Sequence, residues 1–375
     1  MKVTRLETLV VENVPPYRGG REWLFIKLHT DDGIVGLGER PATATRDLRP
    51  HVALLEDLCE AFVIGEDPFQ VERIWQRMFG VRHDFRHPSL HATPALSAIE
   101  IALWDIIGKA VNQPIYNLLG GRFHDRLNAY AYMAAENALE RPPVAGEVAV
   151  QMVADGWTTT KIDPFLPAFP YPQQWPLKDV VKASLIFQAI REAVGNELEV
   201  AIGTHGQFTT SAAVRVARVF EQYFPAWFEE PVPPEKPEEM ARVAAKTTIP
   251  IAAGERLATK FEFSSLLEVG GAGIIQLDVG QCGGILEAKK IAAIAEAHHA
   301  VTAPHMYCGP IAAAAAIQLD TCSPNFMVQE FNVGPLHEEI LLEPIRVDRG
   351  YITPPTRAGL GVELNEGVLK RHLVG

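Results

Sequence analysis

Residues 226–255 read AWFEEPVPPEKPEEMARVAAKTTIPIAAGE. Ala226–Glu230 is a short apolar run that ends in two carboxylates, and Pro250–Glu255 is a second that ends in one. The same alternation extends in both directions. Upstream, Asn128–Met133, Thr158–Asp163 and Leu198–Gly203 read as strands; downstream, Gly273–Asp278, Ala300–His305 and Phe326–Glu330 do so. Helical sequence separates them. Ile285–Ala297, for example, sets Ile291 and Ile294 inward and Lys289, Lys290 and Glu296 outward. Eight strands alternating with helices predict a closed parallel barrel of the TIM type over residues 127–345, an α/β fold, rather than an open doubly wound sheet.

The first 126 residues have a different texture. Val3–Val11 mixes β-branched and polar residues, with Leu6 and Val10 on one face. Trp23–His29 places Leu24, Ile26 and Leu28 on one side and Lys27 on the other. Asp31-Asp32-Gly33 signals a hairpin into Ile34–Gly38. Pro94 then opens a helix with Leu96, Ile99, Leu103, Ile106 and Ala110 at amphipathic spacing. Strands followed by helices predict an N-terminal α+β capping domain over 1–126. The tail, 346–375, carries Gly350–Pro355 and Gly359–Val362, too strand-like and loop-like for a barrel helix, and is expected to pack back on the cap.

Composition narrows the partners. A net charge of −12 in 375 residues repels phosphate backbones and argues against nucleic acid. No apolar run reaches the length of a membrane span. The four cysteines, Cys59, Cys282, Cys308 and Cys322, form no framework and read as buried thiols in a reducing compartment. The start of the chain carries no signal-peptide pattern, so a cytoplasmic protein is expected, and barrels of this kind are often homo-oligomers.

In a parallel barrel the chemistry sits where the strands end. Here those ends are Lys161-Ile162-Asp163, Gly203-Thr204-His205, Glu229-Glu230, Glu255, Asp278, His305 and Glu330. One polar end is an ordinary loop residue; seven on one rim ask for a shared purpose. Glu229 and Glu255 on adjacent strands would repel unless a cation lay between them, and oxygen ligands favour Mg²⁺. Such an ion would bind a substrate carboxylate and stabilise the enediolate left by loss of an α-proton. His305 is the natural base, with Asp278 one strand over to orient the ring. Lys161 is placed to bind the carboxylate of a small-molecule acid, Glu330 to donate to the enediolate if protonated, and His205 to act as a second acid.

The stretches Trp227–Glu235, Ile251–Arg256, Gln276-Leu277-Asp278 with Cys282-Gly283-Gly284, Ala303-Pro304-His305 and Ala98–Asp105 together resemble the mandelate racemase/muconate lactonizing enzyme branch of the enolase superfamily. Within it, Gly203-Thr204-His205-Gly206 is similar to the Asp-x-His-Gly turn of the galactonate dehydratase-type sugar-acid dehydratases. The resemblance implies a lyase that dehydrates an aldonate or aldarate, with Glu229 and Glu255 as metal ligands. It also implies Asp278 and His305 as the catalytic dyad, His205 as the acid that helps a hydroxyl leave, and Glu330 at the carboxylate or enediolate.

Two positions depart from that pattern. Gly203 stands where the family has its first Asp ligand, although Gly203, Glu229 and Glu255 keep an even spacing of 26 residues. Either a neighbour such as Asp163 or His205 completes the ligand set, or water does, or the metal is lost. Lys161-x-Asp163 replaces the Lys-x-Lys of the racemases and removes a second base. An isomerase working through the same enediolate and a metal-free barrel that only binds remain as rivals. Tyr17 and Arg18, in the cap's first loop, are candidate substrate-binding residues. His83 and His87 read as structural or interface residues, and Arg256 as a partner for a neighbouring carboxylate.

Overall fold

The computed structural model describes residues 1–41, 47–80, 86–165 and 171–374. The cap begins with an antiparallel sheet of β1 (Val3–Glu12), β2 (Glu22–Thr30) and β3 (Val35–Arg40). Alternation along β2 divides its side chains. Leu24, Ile26 and Leu28 pack with the cap helices, while Trp23 and Phe25 join the large core that continues into the barrel. The helices are α1 (Arg49–Phe62), α2 (Val71–Gly80), α3 (Thr93–Ala110) and the short α4 (Ile115–Leu118). The amphipathic reading of α3 is too narrow. Its residues are buried on almost every side, because it is wedged between β3 and the barrel helices.

Eight parallel strands follow: β4 (Leu127–Tyr132), β5 (Thr159–Ile162), β6 (Glu199–Ile202), β7 (Phe228–Glu229), β8 (Ile251–Ala253), β9 (Ile274–Ile275), β10 (Val301–Thr302) and β11 (Gln329–Glu330). They pair in chain order from β4 to β10, and β11 pairs β4. A bridge from Thr302 to Phe326, with Met327 N–H donating to Thr302 at 2.8 Å, closes the ring. The interior is filled by Tyr130, Ala201, Trp227, Ala252, Ile274, Ala303 and Val328, with Tyr130 edge-on to Trp227. Seven helices run between the strands: α5 (Pro143–Ala154), α6 (Leu177–Val194), α7 (Thr210–Phe220), α8 (Pro237–Ala244), α9 (Thr259–Glu268), α10 (Ile285–Ala297) and α11 (Pro310–Thr321).

After β11 the chain makes only the short α12 (Pro335–Glu339) before a hairpin, β12 (Val347–Asp348) and β13 (Tyr351–Ile352). β13 pairs antiparallel with the start of β4, at Leu127 and Asn128. The tail then reaches the cap: Glu366 of α13 (Glu366–His372) meets Lys27 at 2.6 Å, and Val374 donates to Val10. Among the described residues, no helix is long and apolar enough to cross a membrane.

Buried carboxylates join cap to barrel. Glu100 of α3 accepts from Ile285 N–H at 2.6 Å and Leu286 N–H at 2.9 Å, the otherwise orphaned donors at the start of α10, and from Trp104 at 2.8 Å. A Cβ on Gly284 would strike this carboxylate, and its φ of 96° also favours glycine. Glu39, near the end of β3, does the same for α11, accepting from Gly309, Ile311 and Ala312 N–H. Burial pushes both carboxyls up, to about 8, against the backbone donors that pull them down.

These caps predict a stability effect. Glu100→Ala leaves three donors unpaired and a cavity, and should destabilise the protein by about 3–5 kcal/mol. Urea denaturation reads this as a lower midpoint; an unchanged midpoint would show that α10 does not depend on Glu100.

Candidate active site

The C-terminal ends of the strands surround a cavity of about 360 Å³ whose wall includes His205, Glu255, His305 and Glu330. Beneath it lies a fully buried ion cluster. Lys161, one residue from the end of β5, points its ammonium at Glu229 Oε1, 2.7 Å away, and Glu330 Oε1, 3.2 Å away. Burial works against that charge, but the two carboxylates outweigh it and hold Lys161 well above its usual range. The Tyr132 ring lies 4.6 Å from the same ammonium. Glu229 Oε2 accepts from Gln276 at 2.6 Å and Trp227 at 3.1 Å.

His305 follows β10. Its Nδ1 is 2.8 Å from Asp278 Oδ2, and its Nε2 is 3.6 Å from Glu255 Oε2. Asp278 is fixed in turn by Gly280 N–H at 2.8 Å and Gln281 at 3.0 Å. Burial opposes a charged ring, but Glu255, Asp278 and Glu330 outweigh it and push the imidazole up to about 10. In this arrangement the ring is therefore protonated at neutral pH, and a cation neutralising Glu255 would lower it toward the form whose Nε2 can accept a proton. β6 and β10 are four strands apart in a ring of eight, so His205, in the loop after β6, faces the cavity from the side opposite His305.

Asp163 and Gly203 are the next pair above the Ile162–Ile202 register of β5 and β6. Asp163 leans across: a Cβ built on Gly203 would fall onto its Oδ1. That oxygen is buried and has no hydrogen-bond partner among the described residues, as is true of His205 Nδ1. The Asp163–His205 separation is 3.9 Å, too long for a hydrogen bond. Burial pushes the Asp163 carboxyl up to about 6, against the pull of Lys161 and His205.

The structure thus gathers His305, Asp278, Glu255 and Glu330 on one side of the mouth, His205 and Asp163 on the other, and Lys161 with Glu229 below. Lys161 is turned to its two acids rather than to open space, only 1% exposed. Glu330 accepts with both oxygens, from Lys161 and from Met306 N–H at 3.0 Å, instead of presenting a donor. Arg18 lines the cavity, whereas Tyr17 lies under the Arg21 guanidinium. Arg256 pairs with Glu230 at 2.6 Å. His87 bonds the Pro88 carbonyl at the surface, and His83 lies outside the described residues. Sequence reasoning missed Tyr132, Gln281, Tyr307 and Asn332 on the wall. Tyr132 had a signal, since it ends β4, but that strand was read on to Met133.

Comparisons agree with this architecture. Residues 17–120 match the mandelate racemase/muconate lactonizing enzyme N-terminal domain, and residues 144–368 the enolase C-terminal domain-like model. The chain belongs to the mandelate racemase/muconate lactonizing enzyme branch of the enolase superfamily. It is 37% identical to a D-galactonate dehydratase of Xanthomonas oryzae pv. oryzae (strain PXO99A), over 99% of this chain and 94% of that protein. A solved structure from Labrenzia alexandrii DFL-11, described as a mandelate racemase/muconate lactonizing enzyme, is 46% identical with a TM-score of 0.95, covering 99% of this chain and 97% of that one. One from Sulfitobacter sp. is 40% identical, also at 0.95, over 100% and 96%.

Dehydratases of this superfamily are generally metal-dependent. The residues fit a hard divalent cation: the donors are carboxylate oxygens, and one of them, Asp163 Oδ1, is buried without a partner among the described residues. Charge agrees: among the described residues of the cluster, Asp163, Glu229, Glu255, Asp278 and Glu330 face Lys161, His305 and, 3.9 Å from Asp163, His205. Among the described residues, no three of His, Cys, Asp or Glu already surround one point, and Glu229 is engaged by Lys161.

The ion cluster sets a second prediction. Lys161→Met strands two buried carboxylates and should destabilise the protein by about 3–5 kcal/mol. Adding Glu330→Gln should recover part of the loss, as read by chemical denaturation.

Proposed function

We propose that this protein dehydrates a sugar acid, an aldonate or aldarate, by removing the proton α to the carboxylate and then expelling the β-hydroxyl. The observation that carries the reading is the 2.8 Å Asp278–His305 bond at the cavity wall, with His205 facing it from the loop after β6. The relatives named D-galactonate dehydratase support it.

In this reading the substrate carboxylate lies over the cluster of Lys161, Glu229 and Glu330, and Arg18 closes on it from the cap loop. Mg²⁺, held by Glu229 and Glu255 when bound, supplies the positive charge that makes the α-proton acidic. Asp278 fixes the His305 tautomer so that Nε2 faces the α-carbon and takes the proton. His205 gives a proton to the departing hydroxyl. The C–H electron pair is first held in the enediolate of the carboxylate; as that collapses, the pair forms the Cα–Cβ double bond while the C–O bond breaks, and the resulting enol ketonises to a 2-keto-3-deoxy acid. Two-base racemisation is disfavoured: the strand that would carry the opposing base ends in Lys161, locked in ion pairs, and Asp163.

The test is NMR in D₂O with a panel of aldonates and aldarates. Wild type should convert one of them to a keto acid. His305→Asn should slow α-proton exchange by about 10²–10⁴-fold. His205→Asn should keep exchange while water loss stops. A deuterated starting skeleton with no keto acid would replace the lyase with an isomerase, and wild-type exchange in His305→Asn would remove His305 as the base.

A further inference from the structure

The position just after β6, Gly203, has no side chain, and beside it Asp163 holds a carboxylate oxygen with no partner among the described residues. β5 and β6 run in parallel register through Ile162 and Ile202, and Gly203 N–H donates to the Ile162 carbonyl at 2.9 Å. The next residue on β5, Asp163, sends its carboxylate over Gly203 rather than out to solvent. Its Oδ1 occupies the space in which a side chain at 203 would begin. The Asp163 side chain is only 10% exposed, and Oδ1 has no donor within reach among the described residues. A buried carboxylate oxygen without a partner is costly and calls for one, a water or an ion, and this one faces the cavity end of the barrel.

We infer that Asp163 and Gly203 form a matched pair, in which Asp163 supplies the third carboxylate of a divalent-cation site with Glu229 and Glu255, through the space that Gly203 leaves open. Three acidic side chains from β5, β7 and β8 then replace the run of three successive strands that the even spacing of 203, 229 and 255 suggests. Any side chain at 203 would displace the Asp163 oxygen, and without Asp163 the gap at 203 would leave the two glutamates one ligand short. The inference rests on the proposed metal-assisted dehydratase, but it concerns which residues hold the ion.

Isothermal titration with Mg²⁺, and Mn²⁺ binding followed by electron paramagnetic resonance, test it without substrate. Asp163→Asn keeps the shape and removes the charge, and should weaken binding by about tenfold or more. Gly203→Asp alone should also weaken binding, because two carboxylates then compete for one place. The exchanged double variant, Asp163→Gly with Gly203→Asp, should recover most of the affinity. Wild-type affinity in Asp163→Asn, tighter binding in Gly203→Asp alone, or no divalent-cation binding by the wild type would each overturn the inference. If Gly203→Asp fails to fold, the isosteric Asp163→Asn still decides. A wild type that eliminates water from a sugar acid yet binds no cation removes this ligand set and leaves the dehydratase reading standing. Cation binding through Asp163 with no turnover of any sugar acid does the reverse.

Discussion

The ammonium of Lys161 is the charge around which the barrel mouth is arranged. It comes from β5 and is shared by a glutamate on β7 and another on β11, so one cation ties three strand ends together. Removed from water, such a group is tolerable only if its partners are close and fixed. Gln276 and Trp227 fix one, and the Met306 amide fixes the other. The short strands add to the need for such ties, since β7, β9, β10 and β11 contribute two residues each to the ladder. Backbone bonds carry the ring on beyond these short strands, from Glu230 N–H to Ala252 and from Gln276 N–H to Ala253, each at 2.9 Å, and the side-chain ties reinforce that register.

Above this floor the acids still outnumber the bases. Asp278 spends its charge on His305, and Glu230, pushed up to about 7 by burial and by Glu255, is met by Arg256. Glu255 and Asp163 have no comparably close cation among the described residues. A cavity with this imbalance draws positive charge, and its polar wall of Tyr132, Gln281, Tyr307 and Asn332 suits a ligand rich in hydroxyls. The proposed chemistry needs both features in one place: charge to make the α-proton acidic, and neutral polar groups to hold a polyhydroxylated chain in one orientation.

The strand ends were legible because apolar strands that finish in Glu, Asp or His break their own pattern at a fixed point. Partner choice was not. Lys161 read as a substrate-facing cation, yet its closest partner is 68 positions away in sequence, and only closure of the barrel brings them together. Gln276 looked like part of a strand and proves to be a donor to Glu229. Glu39 and Glu100 carried no sign of their role. A glutamate near the end of a strand and another inside an apolar helix are ordinary locally, and each acquires its function only when a barrel helix docks on it. The departure at Gly203 was visible in the sequence; what fills its space was not, because Asp163 belongs to a different strand.

Those two glutamates limit how the protein can change. Each lies on the cap, and each completes a barrel helix that begins just beyond a member of the dyad: α10 after Asp278, α11 after His305. The cap is thus not an interchangeable specificity module set on a finished barrel. A chimera that grafted a foreign cap would have to bring carboxylates at the equivalents of 39 and 100, or leave the loops of the proposed base unsupported. Recombination across the domain boundary should therefore be rarer than substitution within the cap's loops, and new substrate preferences should arise mainly from the first loop around Arg18.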